Sequence, residues 1–315
     1  MNGQEFARAL FHGVYLPVLE REFPDVLPKL SAGVVGTGSE VLGADDALSR
    51  DHGWGPCCCR LFLDEEDIGR HGDAVKAALG RALPPKLHGV RLAEGEANRI
   101  PLLTIDQVYI GLTGLPHAPR TMQEWIKAPE NGLCYARAGS VIFDPSGALA
   151  SRKDEFENAY YPECLWRWRL AGQLWAIWHH GSYNLCGRLA ERNDALGALV
   201  AQGHFVEGLM RLVVLLNRQY APYWKWLSWT FGRLARLADR VVPHLKELES
   251  QSGLPGRSKI IGEICRLMLD VLFEEGLLPK RGWYNFAGAF EVLKGIEDDK
   301  VRAAIKEQVP FFFIW

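Results

Sequence analysis

From Val34 to Leu63 the chain reads VVGTGSEVLGADDALSRDHGWGPCCCRLFL: an apolar run, a Gly-Ser turn, a mixed polar stretch, an aspartate and a second apolar run. These are residue types that phosphate chemistry uses. Gly38 and Ser39 can offer unhindered backbone N–H groups and a hydroxyl to phosphate oxygens. Asp51, on the approach to the second apolar run, adds a carboxylate able to hold Mg²⁺ beside them. An ordinary strand-to-helix turn would use the same Gly and Ser, so the pair alone does not decide between the two.

A second cluster lies in LMRLVVLLNRQYAPYWKWL, where Arg218, Tyr220, Tyr223 and Lys225 surround Pro222. Proline is expected to end or kink the helix there. Arg218 and Lys225 could then bind a polyphosphate while a tyrosine, Tyr223, stacks on a base. Surface charges around a packed aromatic corner are the competing reading. Trp166, Trp168, Trp175 and Trp178 point to more than one helix face and are expected to pack rather than to form a ligand cage. His179 and His180 are adjacent, so their rings diverge and no metal site is expected from them. Arg188 and Asp194 are open to a salt bridge as readily as to a site. Cys57-Cys58-Cys59 and the isolated Cys134, Cys164, Cys186 and Cys265 make an odd number without a CxxC pair. They read as reduced, mostly buried thiols, with Cys58 facing away from its neighbours if that run is a strand.

The elements that must position these residues follow from periodicity. Apolar Phe6, Leu10, Val14 and Leu19 predict an amphipathic helix over 5–23. Leu30 to Val35 leads into the Gly-Ser turn, and a short helix begins near Glu40. Cys57 to Leu63 reads as a strand ending in the acidic cluster Asp64-Glu65-Glu66-Asp67, a good helix start. That helix should stop at Pro84-Pro85. Residues 89–93, 100–105 and 140–143 are strand-like, 106–112 is helical, and Asp144-Pro145-Ser146-Gly147 is a strong turn signal. Strands and helices alternate to this point, which predicts an α/β (α+β) domain over 1–150. From Tyr160 the patterns are long and helical, with Phe205, Leu209, Leu212, Val213 and Leu216 on one face. Residues 151–315 are therefore expected to form an all-α bundle, and the cleft between the two domains to hold a nucleotide.

Composition limits the function classes. Of 315 residues 48% are hydrophobic, ample for a core, and the net charge is −2. Without clustered Lys/Arg, no nucleic-acid partner is expected. No stretch approaches 18 uninterrupted apolar residues, so no membrane span is expected, and the N-terminus lacks the pattern of a signal peptide, so a cytoplasmic protein is expected. The terminal Phe311-Phe312-Phe313-Ile314-Trp315 is too apolar for water and should dock on the protein or on a partner subunit, which leaves a homo-oligomer open.

GTGSEVLGADDALSRDHGWGP resembles the N-terminal motif of a bacterial family of nucleotidyltransferase-like proteins grouped as a domain of unknown function. YPECLWRWRLAGQLW, Gly187-Arg188, Asp194 and LMRLVVLLNRQYAPYWKWL resemble that family's helical domain. The resemblance implies the fold of the DNA polymerase β-like nucleotidyltransferases, such as aminoglycoside adenylyltransferases. In that superfamily a Gly-Ser motif precedes two carboxylates one residue apart, and a third comes from a neighbouring strand. Two Mg²⁺ ions there activate an acceptor hydroxyl and neutralise an NTP. Gly38, Ser39 and Asp51 match the pattern. The second carboxylate position is Gly53, which binds no metal, and Pro101 stands near the third. Glu94, Glu96 and Asp106 are the candidate replacements, Glu94 joining Asp51 as a candidate metal ligand, and His52 is a candidate ligand or acid–base group, with a hydrogen-bonded loop histidine the competing reading. The implied function is transfer of NMP from an NTP, with ATP the expected donor, to a small-molecule hydroxyl. The alternative is a catalytically degenerate nucleotide-binding sensor or interaction module.

Overall fold

The computed structural model describes residues 1–46, 48–51, 55–92, 100–281, 285–297, 299 and 301–303, with Arg50, Asp51, Arg91 and Asn285 described in backbone only. It is mostly helical with a small mixed sheet, and it divides into two compact units, Met1–Tyr160 and Tyr161–Trp315. The division falls after the turn at Asp144–Gly147, because the helix that follows this turn packs within the first unit.

The first unit opens with α1 (Gly3–Leu10), a π turn (Phe11–Tyr15) and α2 (Leu16–Glu22) in one continuous rod. Asn2 starts it through a reciprocal cap with Glu5. Phe6, Leu10, Phe11, Tyr15 and Leu19 are fully buried, whereas Val14, expected inside, is half-exposed. The wider π turn accounts for this: it adds a residue to the ring and rotates Tyr15 into the place a regular helix would give Val14.

β1 (Ser31–Val34) follows, then α3 (Ser39–Leu42), β2 (Arg60–Phe62), α4 (Glu65–Ala82), β3 (Lys86–Leu87), β4 (Val90–Arg91), β5 (Leu102–Leu103), α5 (Ile105–Thr113), α6 (Met122–Lys127), α7 (Glu130–Arg137), β6 (Ser140–Phe143) and α8 (Ala148–Glu157). The main sheet has the order β5-β2-β1-β6, with β1 antiparallel to β2 and β6, and β2 parallel to β5. β1 lies buried along its whole length. β3 and β4 form a separate hairpin whose turn residues His88 and Gly89 both have positive φ (47° and 87°), as a tight primed turn requires. Asp64 caps α4 by accepting from Asp67 N–H, as the acidic cluster predicted.

The strand expected over 57–63 is shorter. Gly55–Cys58 is a 3₁₀ turn and pairing starts only at Arg60. Pro56 has no N–H for a ladder, and Cys59 N–H donates back to the Pro56 carbonyl, which closes the turn instead. The expected alternation is therefore absent, and Cys58 and Cys59 are both buried. All seven cysteines are free thiols.

The second unit comprises α9 (Glu163–Ile177), a twelve-residue π segment (Trp178–Leu189), α10 (Ala195–Leu216), α11 (Trp224–Phe231), α12 (Ala238–Ser250), α13 (Leu254–Glu274) and α14 (Asn285–Lys294). α9 packs on α10 and α14, the π segment on α10 and α13, and α12 on α13. Phe205, Leu209, Leu212, Val213 and Leu216 are all buried, as the spacing predicted. Gly181 is needed where the π segment crosses, since a Cβ there would sit 2.6 Å from the Phe205 ring and 2.9 Å from Ile261. Among the described residues α10 alone is long and apolar enough to cross a bilayer by length and composition, and half of that stretch is buried within the protein. The apolar residues 311–315 lie outside the described residues.

Gly139 joins α7 to β6 with φ +81°, and a Cβ there would meet the Val34 carbonyl at 1.9 Å. Gly147 shares the left-handed conformation (φ +73°) but faces open space. In urea titrations Gly147→Ala should cost about 1 kcal/mol, the conformational term alone. Gly139→Ala should cost at least ~2 kcal/mol more, because the backbone of β1 must also shift.

Candidate functional site

β1 delivers the chain to the Gly36–Ser39 turn, which runs into the single-turn helix α3. Gly36 has φ +131°, and a Cβ on it would lie 2.5 Å from the guanidinium of Arg60. Arg60 opens β2, directly opposite Gly33 of β1. Its side chain is half-buried, and among the described residues it makes no hydrogen bond or ion pair. With Gly36, Thr37, Leu103, Gln107, Val108, Gly111 and Leu112 it lines a cavity of about 250 Å³. Burial lowers the Arg60 pKa, while Glu40 and the cysteines at 57 and 58 pull it back up.

Glu40 lies against Gly38, two residues further along the turn. It is 3% exposed, and its Oε2 has no hydrogen-bond partner. Its carboxylate folds over Gly38, so that a Cβ at that position would fall 1.9 Å from Oε1. Burial raises the Glu40 pKa, Asp45 adds to this, and its own backbone N–H and Arg60 oppose it. Asp45 in turn accepts from Gly3 N–H at 2.5 Å, and Gln4 donates to the Glu40 carbonyl, so α1 braces the turn.

This geometry divides the predicted phosphate cradle. The Gly38 face carries a carboxylate, and Ser39 is only 9% exposed. The Gly36–Thr37 edge carries a cation without an ion pair among the described residues and opens on a cavity. An anion is attracted to that edge and repelled from the Gly38 face when Glu40 is ionised. Arg60, Thr37 and Gln107 were missed as candidates, although a lone cation opening an apolar strand was the signal that could have found Arg60.

Asp51 ends the 3₁₀ turn Leu48–Asp51, which Asp46 caps by accepting from Ser49 N–H at 2.9 Å. The Asp51 side chain lies outside the described residues, as do His52, Gly53, Glu94 and Glu96. Asp106 is on the first turn of α5, 2.8 Å from Arg152 in an exposed ion pair. Pro101 contributes its carbonyl, which accepts from Leu61 N–H at the sheet edge.

In the second unit the predicted nucleotide ligands separate. Arg218 lies 3.4 Å above the Trp166 ring and pairs with Glu163 at 2.9 Å. Trp166 donates its indole N–H to the Leu215 carbonyl at 2.8 Å, satisfying one of the last carbonyls of α10. Helix α10 stops before the position expected from Pro222. Arg218 takes φ +54°, and the Asn217 amide bonds to the Val213 and Arg236 carbonyls. Tyr223 and Lys225 are exposed at the start of α11 beside Trp224, which is 64% exposed. Lys225 Nζ is 5.0 Å from the Trp226 ring centre.

Trp175 stacks on His179 at 4.5 Å, and Trp178 packs on Tyr183 and Phe286, so these tryptophans form a packed row and not a cage. His180, with His179 and His204 beside it, has its pKa pushed down to about 4, chiefly by burial. Arg188 covers the Tyr183 ring, and Asp194 caps α10 by accepting from Gly197 N–H at 2.9 Å.

A family described as a domain of unknown function, DUF4037, matches residues 125–227. The matched stretch runs from α6 to α11 and includes the tryptophan row and the Arg218–Lys225 segment, but not the Gly36–Ser39 turn. No curated protein and no solved structure matches the chain.

The buried Glu40 makes a prediction with a defined sign. Its folded pKa lies above the unfolded value, so the native state binds more protons in the interval between them and stability falls as pH rises through it. Glu40→Gln should therefore raise stability at pH 7. That advantage should vanish below the unfolded carboxyl range, near about pH 4. Urea midpoints measured across this interval check it, and a Gln variant less stable at pH 7 would contradict the account of Glu40.

Proposed function

We propose that the N-terminal unit binds the phosphates of a nucleoside triphosphate at the Gly36–Thr37 edge, with Arg60 as the counter-charge, and that the protein is a nucleotidyltransferase. The observation that supports this most is the half-buried Arg60 guanidinium, unpaired among the described residues and held against Gly36 in a cavity. A cation in a partly dry site, with the buried Glu40 the one carboxylate acting on it among the described residues and no direct ion pair, is costly to the fold and favours a further anion there. A phosphate also offers planar Arg a matched, two-point contact.

In this reading the acceptor hydroxyl oxygen attacks the α-phosphorus of the NTP, ATP being the expected donor. The bond to the β-phosphate breaks, pyrophosphate leaves, and the hydroxyl proton passes to a base or to solvent. Arg60 holds non-transferred phosphate, and the apolar wall of Leu103, Val108 and Leu112 lowers the local dielectric around it. Mg²⁺ would neutralise charge on the triphosphate. Glu40 suits that ion poorly, being buried and biased toward its neutral form, so the ligand role falls to Asp51 with phosphate and water oxygens completing the shell. In the second unit Tyr223 and Lys225 are the exposed candidates for a nucleotide, whereas Arg218 already serves Glu163 and Trp166.

A second reading, a nucleotide sensor without catalysis, is favoured by one observation. The strands beside the turn present Arg60 on β2 and Leu102–Leu103 on β5, not carboxylates. Titration calorimetry with a non-hydrolysable ATP analogue, with and without Mg²⁺, separates the two. Transfer predicts Mg²⁺-dependent binding, lost in Asp51→Ala and weakened roughly tenfold or more in Arg60→Ala. A sensor predicts binding indifferent to Mg²⁺ and to Asp51→Ala but still sensitive to Arg60→Ala. Failure of ATP, GTP, CTP and UTP to bind the wild-type protein would overturn both.

A further inference from the structure

We infer that the α12–α13 hairpin of the second unit carries a binding site for a first-row divalent metal ion, formed by His244, Glu247 and Glu263. His244 and Glu247 are three residues apart on α12 and so share one face, and Glu263 comes across from α13. One ligand atom from each lies within 4.8 Å of the other two. A four-coordinate ion bonded at about 2.0–2.1 Å brings its donors to roughly 3.4 Å from one another. Rotation of the two glutamate side chains, one exposed and one half-buried, is enough to close that difference.

The local charges favour a cation. Two carboxylates converge from different helices, and among the described residues Glu263 is held only by a long, exposed ion pair with Lys259 on its own helix at 3.9 Å, which a bound divalent ion would outcompete. Among the described residues the side chains of His244 and Glu247 have no hydrogen-bond or ion-pair partner that would compete for their ligand atoms. One imidazole and two carboxylates select Zn²⁺, Mn²⁺ or a similar ion over Ca²⁺, which takes oxygen ligands throughout. Three protein donors leave at least one position for water.

The helix that would be clipped is thinly held. Of α12 only Ala238, Val241 and Leu248 are buried, and Pro243, next to His244, removes one of its internal hydrogen bonds. The helix packs on α13, while Val242 and Leu245 face a cavity of about 520 Å³ walled by Val206 and Met210 of α10 and Phe231 of α11. An ion bridging α12 to α13 would fix the helix that forms this wall, and binding to the folded state alone raises stability by mass action.

Zn²⁺ and Mn²⁺ titrated into the chelator-treated full-length protein test the site, with affinity read by calorimetry and thermal stability by a melting scan. Binding to the wild type should raise its melting temperature. His244→Ala and Glu263→Gln, both at partly exposed positions, should each weaken binding by roughly tenfold or more and remove the rise. Circular dichroism of the two variants verifies that they fold. Co²⁺ substitution guards against thiol binding, since a cysteine site would show thiolate charge-transfer absorption and this one would not. No binding of either ion overturns the inference, as does binding that both variants retain or a thiolate spectrum that they leave unchanged.

Discussion

Arg60 can stand beside the first turn only because Gly36 has no side chain. The guanidinium fills the volume a Cβ would need, and Gly36 takes a backbone conformation with φ +131° that L side chains rarely adopt. Two residues further along the same turn Glu40 uses the space left by Gly38, and α1 braces Asp45 through Gly3 N–H. An acidic and a basic group are thus held around four residues, each partly or wholly out of water. Hydrophobic packing of the all-buried β1 strand and of the α1–α2 rod supplies the rigidity that keeps them there.

That arrangement gives the turn a polarity. One edge is cationic and open to a cavity, whereas the other is acidic and closed. Burial disfavours the charged form of both groups, while each favours the charge on the other. The chemistry proposed for the unit follows from this polarity more than from the Gly-Ser pair itself.

The second unit is organised differently, by close approach of helices and by aromatic rings that finish their ends. Gly181 lets the π segment cross α10 and α13, and Trp166 closes the last turn of α10 while supporting Arg218. Residues that look like ligands in a linear reading, Arg218, Arg188 and Asp194 among them, are occupied by ring, ion-pair and capping contacts. Tyr223 and Lys225 remain exposed because α11 begins only after the Asn217–Arg218 stop and the turn that follows it.

The sequence by itself determined the elements whose signals are local. The capped start of α4 at Asp64, the end of β6 at the Asp144–Gly147 turn and the buried face of α10 all follow from short-range propensity and periodicity. The Gly38-Ser39 turn and the short helix after it were legible for the same reason, but the carboxylate that Glu40 lays over Gly38 was not. Tertiary structure decided what periodicity does not encode. A π turn put Tyr15 inside in place of Val14, Pro56 cut the Cys57–Leu63 strand down to Arg60–Phe62, and pairing of β1 with β2 brought Arg60 to Gly36. Burial gave Glu40 its shifted acidity and set Arg218 on Trp166. These outcomes depend on which groups meet across long sequence separations and on how much water remains between them, and both are set only when the chain packs.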